Sequence, residues 1–430
     1  MRTWGWLLVI GWLAWGARAQ EIPPPMPMVD LQGQNVVNVL LLGLATHNNG
    51  SNGLTDSLIL ISFNRDTRHA AVIYLPRDLY VYLPHTQRMA KLNQAYYYGQ
   101  RVPDDGYSGI DELKATIRYN LGVEVHYTAR VNFGGFVRLI DSLGGINISV
   151  DCALQDWRLI SPELDRSVAE NYYRFTLEQG VYTMDGDTAL WYVRSRMTST
   201  DLDRGRRQQD VLRAIWRRIQ ARGLLETLPT LWASWERIVT TDMPLDVALS
   251  FVPDLIDFST SDISYFSFRM NREITSGYTP DADRRFIFIM DRDAVAQLMQ
   301  QMVNASTPHR VQVTPPSVAL INGTNNPEYD FIARIAADRL ELEGFRTTIV
   351  QQQTRRRYWN HIIDHTGDEK GGYLSMLMRV LSTTQEGVRV EPDPLRSVDY
   401  TVYLGYNYLS YACTRPVLPP VREAIANENG

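Results

Sequence analysis

The chain alternates apolar runs with polar, glycine-rich breaks, and the spacing of the two predicts most of its elements. Val36 to Leu44 is an apolar run with a glycine near its end, as in buried strands. Leu58 to Phe63 and Ala70 to Leu75 repeat it, separated by the turn residues Asn64-Arg65-Asp66, and read as central strands of one sheet. Apolar residues from Ile110 to Leu121 recur at helical spacing. Phe133 to Leu143 predicts a second amphipathic helix, capped by Asn132 and stopped by Gly144-Gly145, and Ile146 to Val150 returns as a strand. Strands alternating with helices predict a layered α/β domain.

Further on, Asp185-Gly186-Asp187 predicts a turn into a short helix through Leu190, followed by an extended segment Tyr192 to Arg196. Asp201 or Asp203 is placed to cap a long helix from about Arg204 to Arg222. Residues 223 to 305 are mixed and close with a strand at Phe286 to Met290 and a helix at Asp293 to Met302. After a Pro/Thr stretch the pattern starts afresh: strand Val318 to Ile321, helix Phe331 to Glu343, Gly344 as its stop, strand Thr347 to Val350 and a last strand Thr401 to Leu404. The expected organisation is a signal peptide over 1–19, a linker over 20–35, the main domain over 36–305, a linker over 306–316, a small α/β domain over 317–412 and a Pro-rich, polar tail over 413–430.

The signal peptide rests on Met1-Arg2, an apolar run from Trp4 to Ala17 shorter than the about 20 residues of a membrane span, and the small-x-small site Ala17-Arg18-Ala19. Export follows as an expectation. The two cysteines, Cys152 and Cys413, lie far apart, and spacing does not decide whether they pair. With 430 residues, 44% hydrophobic, the chain is long enough for more than one core. Its net charge of −5 provides no general basic field, which argues against nucleic acid as a partner.

Basic residues are concentrated locally instead. Arg194 to Arg222 holds nine arginines against Asp201, Asp203 and Asp210. Arg204, Arg207, Gln208 and Val211 share one helical stripe that continues into Leu212, Ile215 and Ile219, so its polar end turns toward the protein. Arg206, Arg213 and Arg217 lie off the stripe and read as solubilising. Arg194 and Arg196, two apart on an extended segment, would point to one side. Guanidinium forks beside a helix N-terminus suit phosphate, and internal ion pairs are the competing reading. Leu75-Pro76-Arg77-Asp78 follows a buried strand, where open α/β sheets place ligands. Asp56 and Asp78 at that edge could hold Mg²⁺, a hard cation that takes carboxylate and phosphate oxygens; a turn-closing role for Asp56 is the plain alternative. His361 and His365 lack a third ligand and read as packing residues.

In order and spacing these segments resemble the LytR-CpsA-Psr family. The matching stretches are Asn38–Gly43, Thr55–Leu60, Leu75–Asp78, Lys91–Ala95, Val131–Phe136, Leu143–Ile146, Asp185–Leu190, Tyr192–Arg196 and Asp203–Gln209, across Val36 to Met302. Val318–Thr324 and Asp399–Gly405 are similar to the module that often follows, of LytR_C type. The resemblance implies a three-layer α/β/α sandwich with an apolar groove for a polyprenyl chain. It implies phosphate-binding roles for Arg77, Lys91, Arg194, Arg196, Arg204 and Gln208. Asp56 would be the metal-side carboxylate for Mg²⁺, and Asp56, Arg77, Asp78 and Arg196 the catalytic set. The activity implied is transfer of a glycan from polyprenyl pyrophosphate to a sugar hydroxyl of a wall polymer, at an extracytoplasmic membrane surface. Two departures stand out. The first strand ends Gly43-Leu44-Ala45-Thr46 without the family's aspartate, and Leu54 replaces an arginine before Thr55-Asp56. A non-catalytic polyprenyl-phosphate binder and a polyprenyl-pyrophosphate pyrophosphatase are the alternative readings.

Overall fold

Leu40 and Leu42 point to one side of the first strand and Leu41 to the other, and its neighbours repeat that alternation; the layers follow from it. A computed structural model describes residues 22–44, 54–102, 106–161, 163–165, 167–223, 226, 238–304, 315–352, 354–367 and 373–408. The predicted signal peptide, the Pro/Thr linker apart from 315–316, residues Ala45 and Thr46, Cys413 and the tail lie outside these residues.

In chain order the main unit contains β1 (Val36–Leu44), β2 (Thr55–Asn64), β3 (His69–Tyr74), the hairpin β4 (Tyr80–Leu83) and β5 (Arg88–Lys91), α1 (Ala95–Gly99), α2 (Gly109–Leu121), β6 (Tyr127–Asn132), α3 (Phe133–Ser142) and β7 (Ile146–Val150). It continues with the hairpin β8 (Leu154–Leu159) and β9 (Tyr172–Leu177), β10 (Gly180–Met184), α4 (Gly186–Arg194), α5 (Asp201–Arg222), β11 (Val239–Thr241) and β12 (Ile263–Phe266). The hairpin β13 (Ile274–Tyr278) and β14 (Phe286–Met290) and a helix Arg292–Asn304 close it. The main sheet has the order β11-β6-β1-β2-β3-β12. β2 runs antiparallel to both of its neighbours, β1 and β3, whereas β6 runs parallel to β1 and β12 parallel to β3.

On one face Leu40, Leu42, Leu58, Leu60, Ala71 and Ile73 pack with Leu113 and Ile117 of α2 and with Val295, Leu298 and Met302 of the last helix. On the other, Ile59, Val72 and Tyr74 pack with Leu41, Ile61 and Leu212 of α5. Helices therefore cover both faces, giving the three-layer α/β/α sandwich expected. Each fully buried leucine contributes roughly 1.5–3 kcal/mol through the water it sheds.

The expected linker over 20–35 is not free chain over its described part. Met26 N donates to Tyr119 O at 2.8 Å, Tyr119 Oη donates to Pro23 O at 2.7 Å, and Met26 joins the core. Gly122 ends α2 at φ +67 with Pro27 O where a Cβ would stand, so the strap needs that glycine.

The second unit is a five-stranded sheet in the order β16-β15-β19-β17-β18: β15 (Ser317–Asn322), β16 (Arg346–Val350), β17 (His361–Asp364), β18 (Val388–Val390) and β19 (Tyr400–Leu404). Its helix Phe331–Leu342 supplies Ile332, Ile335, Ala336 and Leu340 to its own core. It has its own core but is docked on α5, which corrects the reading of Arg213 and Arg217 as solubilising; for Arg206 the same reading is corrected by Asp151 of the main unit. Arg213 is 2% exposed, donates to Asp338 O at 2.7 Å and pairs with Asp210 at 3.1 Å. Arg217 reaches Asp338 Oδ1 at 2.6 Å and also pairs with Glu341. Arg206 holds the buried Asp151 at 2.5 Å. Guanidinium groups off the apolar stripe are covered here by a second polar surface, which helical periodicity within one helix does not reveal.

Candidate functional site

The site begins at an irregularity in the β1–β2 ladder. Gly43 pairs with Ser57 and Leu44 with Thr55, so Asp56 is the extra residue of a bulge. Bulges re-aim side chains, and here Asp56 turns to accept a hydrogen bond from Arg77 Nη1 at 2.8 Å. Gly43 is required opposite: a Cβ there would lie 2.9 Å from Ser57 Cβ. Asp56 is therefore part of a strand, not the closure of a turn.

Arg77 leaves the sheet just past β3. Its Nε lies 3.6 Å from Asp78 and 3.6 Å from Asp201, and, buried, it makes no hydrogen bond among the described residues. Asp78 is claimed by Lys91 Nζ at 2.7 Å. Three carboxylates thus surround one guanidinium, and each is shared with a further base or faces the cleft.

α5 brings the next groups. It begins at Asp201, earlier than the predicted Arg204, because the cap is Thr200: its hydroxyl accepts from Asp203 N, and the Asp203 carboxylate accepts from Thr200 N at 2.9 Å. This corrects the assignment of the cap to Asp201 or Asp203. Asp201 is then left to accept from Tyr74 Oη at 3.0 Å and to pair with Arg204. Burial, with Asp201 adding to it, pushes the Tyr74 phenol well above its ordinary range. Gly205 lets the helix approach, since a Cβ there would lie 2.2 Å from the Tyr74 ring. Ser57 Oγ donates to Gln208 Oε1 at 2.7 Å, tying α5 to β2. Arg207, the stripe's other arginine, donates to the carbonyls of Tyr192 and Ser195 and so clamps the C-terminal end of α4.

That chain differs from its prediction. Tyr192 to Arg194 is the last turn of α4, and only the residues after it are non-helical. Arg194 and Arg196 therefore do not alternate along a strand. They nevertheless line the same cleft: Arg194 stacks on the Phe133 ring at 4.1 Å, and Arg196 is exposed with its backbone N donating to Asp156 Oδ2 at 2.6 Å. Asp156, on β8, was invisible to motif reading. Its carboxylate also accepts from Met197 N at 3.3 Å and so fixes the Arg196 loop.

The result is a cleft of about 600 Å³ lined by Asp56, Arg77, Arg194, Arg196, Arg204 and Gln208. A neighbouring cavity of about 580 Å³ shares Arg77, Arg194 and Arg196 and adds Asp78 and Asp201. The β8–β9 hairpin gives the cleft an apolar side with Trp157, Ile160 and Tyr173, all exposed. Seven of the eight expected residues thus meet at one mouth. Lys91 does not line it; it stands behind Asp78 and acts through that carboxylate. His365 contacts Thr401 at 3.0 Å in the second unit, far along the chain from this site.

For Mg²⁺, a site needs one or two carboxylates with phosphate oxygens and water completing the shell. Among the described residues no group of three acidic, histidine or cysteine side chains could hold a metal. Asp56, a third exposed and engaged by Arg77 through one oxygen only, fits as a single carboxylate donor beside a bound phosphate.

Comparison with known proteins agrees with this architecture. The LytR_cpsA_psr family model matches residues 17–304. The chain is 27% identical over 281 residues to the polyisoprenyl-teichoic acid–peptidoglycan teichoic acid transferase TagT of Bacillus subtilis, covering 63% of this chain and 77% of that one. It is 32% identical over 183 residues to a transferase of the same description, TagU of Oceanobacillus iheyensis, covering 42% of this chain and 51% of that one. It thus spans about half the length of TagU. Among solved structures, B. subtilis TagV superposes with a TM-score of 0.51 at 20% identity, covering 66% of this chain and 99% of that one, and shares its fold.

Proposed function

Because the chain belongs to the LytR-CpsA-Psr family, we propose that it transfers a glycan from a polyprenyl-pyrophosphate carrier to a sugar hydroxyl of a cell-wall or other extracytoplasmic polymer. The observation that carries this reading is the convergence of Arg77, Arg194, Arg196, Arg204 and Gln208 on one cleft with an apolar rim. The relatives' description as teichoic acid transferases supports the same class. An extracytoplasmic place at the membrane surface follows from the lipid carrier. No helix among the described residues is long and apolar enough to cross a membrane.

Residue by residue, the chemistry is charge stabilisation and positioning. Arg77, Arg194 and Arg196 take the diphosphate oxygens, since guanidinium binds them bidentately. Arg204 and Gln208 hold the floor. Trp157, Ile160 and Tyr173 receive the first prenyl units. The acceptor hydroxyl attacks the phosphorus bearing the glycan; its new P–O bond forms as the bond to the bridging oxygen breaks, and polyprenyl phosphate leaves. Asp78 takes the hydroxyl proton, a modest demand because such transition states are loose. Asp56 would hold Mg²⁺, which supplies neutralisation of diphosphate charge.

Arg77→Ala and Arg196→Ala are each expected to abolish glycan transfer to purified wall, with release of polyprenyl phosphate as the readout, while the proteins remain folded. Wild-type transfer by both variants overturns the reading. Tight binding of the lipid diphosphate without release by the wild-type protein marks a carrier instead.

A further inference from the structure

We propose that the C-terminal unit carries a second binding site, for an anionic glycan, at the carboxyl edge of its sheet. β15, β16 and β19 run parallel, and ligands of open α/β sheets sit outside the carboxyl ends of such strands. There the structure opens a cleft of about 440 Å³ lined by Asn322, Asn325, Asn326, Asp330, Gln351 and Gln352. Amides both donate and accept, which matches sugar hydroxyls. Asp330 is already engaged by Asn322 Nδ2 at 2.7 Å, so its charge is partly spent within the wall.

From that cleft the chain crosses the strand ends as Arg355-Arg356-Arg357-Tyr358-Trp359. Arg357 N donates to Gly323 O at 2.7 Å, and Tyr406 N and Asn407 N return bonds to Arg357 O and Tyr358 O. Among the described residues no acid pairs with any of the three arginines. Arg356 lies over the Tyr406 ring at 4.8 Å and Arg357 over Tyr403 at 4.5 Å, and Arg357 Nε is buried with no hydrogen-bond partner among the described residues. Tyr358 and Trp359 are 62% and 55% exposed and set edge to face. Uncompensated guanidinium groups held on aromatic rings recognise phosphate or carboxylate, exposed rings stack on the C–H faces of sugars, and the amide cleft beside them takes hydroxyls. A membrane surface would use the arginines and Trp359 but has no need of the cleft.

The site does not depend on transfer at Arg77. The test is binding of the full chain to phosphomannan, polygalacturonate, neutral mannan and anionic phospholipid vesicles. Expected is at least a tenfold preference for phosphomannan or polygalacturonate over neutral mannan; which of the two is bound identifies phosphate or carboxylate as the source of charge. The double variant R355Q/R356Q, exposed at both positions, should lose that binding at least tenfold with an unchanged melting temperature, and Trp359→Ala about fivefold. Arg77→Ala should retain it, which separates this site from the transfer cleft. Equal binding of neutral mannan, unchanged binding by R355Q/R356Q, loss of binding in Arg77→Ala, or binding of vesicles alone overturns the proposal.

Discussion

Arg77 Nη1 donates to Asp56 Oδ1 at 2.8 Å across the mouth of the sheet, and Asp56 reaches it only because β2 bulges there. One residue fewer in the bulge would turn the carboxylate to the other face. Asp56→Asn is expected to lower transfer about 100-fold, the usual scale for losing one charge-positioning group, and to raise the Mg²⁺ concentration giving half-maximal rate. Since the pair is partly exposed, stability should change by about 1 kcal/mol or less. A metal titration of the rate, run beside thermal unfolding, checks both.

Asp156 acts through Arg196. It accepts from the backbone N–H groups of Arg196 and Met197, so Asp156→Ala frees the loop without removing a guanidinium. KM for the lipid diphosphate should rise and kcat should fall, each about tenfold, because a misplaced guanidinium loses its hold on the diphosphate and misaligns the reacting groups. Steady-state kinetics with a soluble short-prenyl donor separates the two.

Gly205 is a case where helix propensity and packing oppose one another. Alanine in a helix interior is favoured over glycine by about 1 kcal/mol, but its Cβ would stand 2.2 Å from the Tyr74 ring. Overpacking costs about 1–3 kcal/mol, so packing wins and Gly205→Ala should destabilise. Denaturant unfolding measures it; a more stable variant contradicts the close approach.

His69 links stability to pH. Buried on β3 at 3.0 Å from Ser264 Oγ, its imidazole is held down to about 4 by loss of water, with Asp262 partly opposing. A lowered histidine pKa means the unfolded chain binds the extra proton first. The contribution is therefore complete above pH 6.5 and is lost as pH falls from about 6.5 toward 4, by up to about 3 kcal/mol. Asp210, held up near 6 chiefly by burial, works the other way: stability from it is lost as pH rises through about 6. Comparing His69→Gln with wild type isolates the histidine. The difference between their stability–pH curves should be flat above 6.5 and slope below it; a flat difference throughout contradicts the assignment.

Much of the fold was legible because it is governed by local periodicity. The apolar-run strands Val36–Leu44 and Phe286–Met290, the helix capped by Asn132 and the restart at Ser317 all appear where the apolar pattern places them, since an apolar run or stripe is a property of residues near one another in the chain. The arginine stripe on α5 was readable for the same reason. Short-range pattern could not show what depends on the partner surface. Whether Arg213 meets water or Asp338 is decided by a residue 125 positions away, and whether Arg194 and Arg196 lie on a strand is decided by how α4 packs on α3. Asp156 carries no motif and acquires its role only when the β8–β9 hairpin folds beside the Arg196 loop. The chain's own order of residues thus determined which segments are strands, helices and family motifs. The tertiary structure alone decided which charges face each other, because desolvation and ion pairing are set by neighbours in space and not by neighbours along the chain.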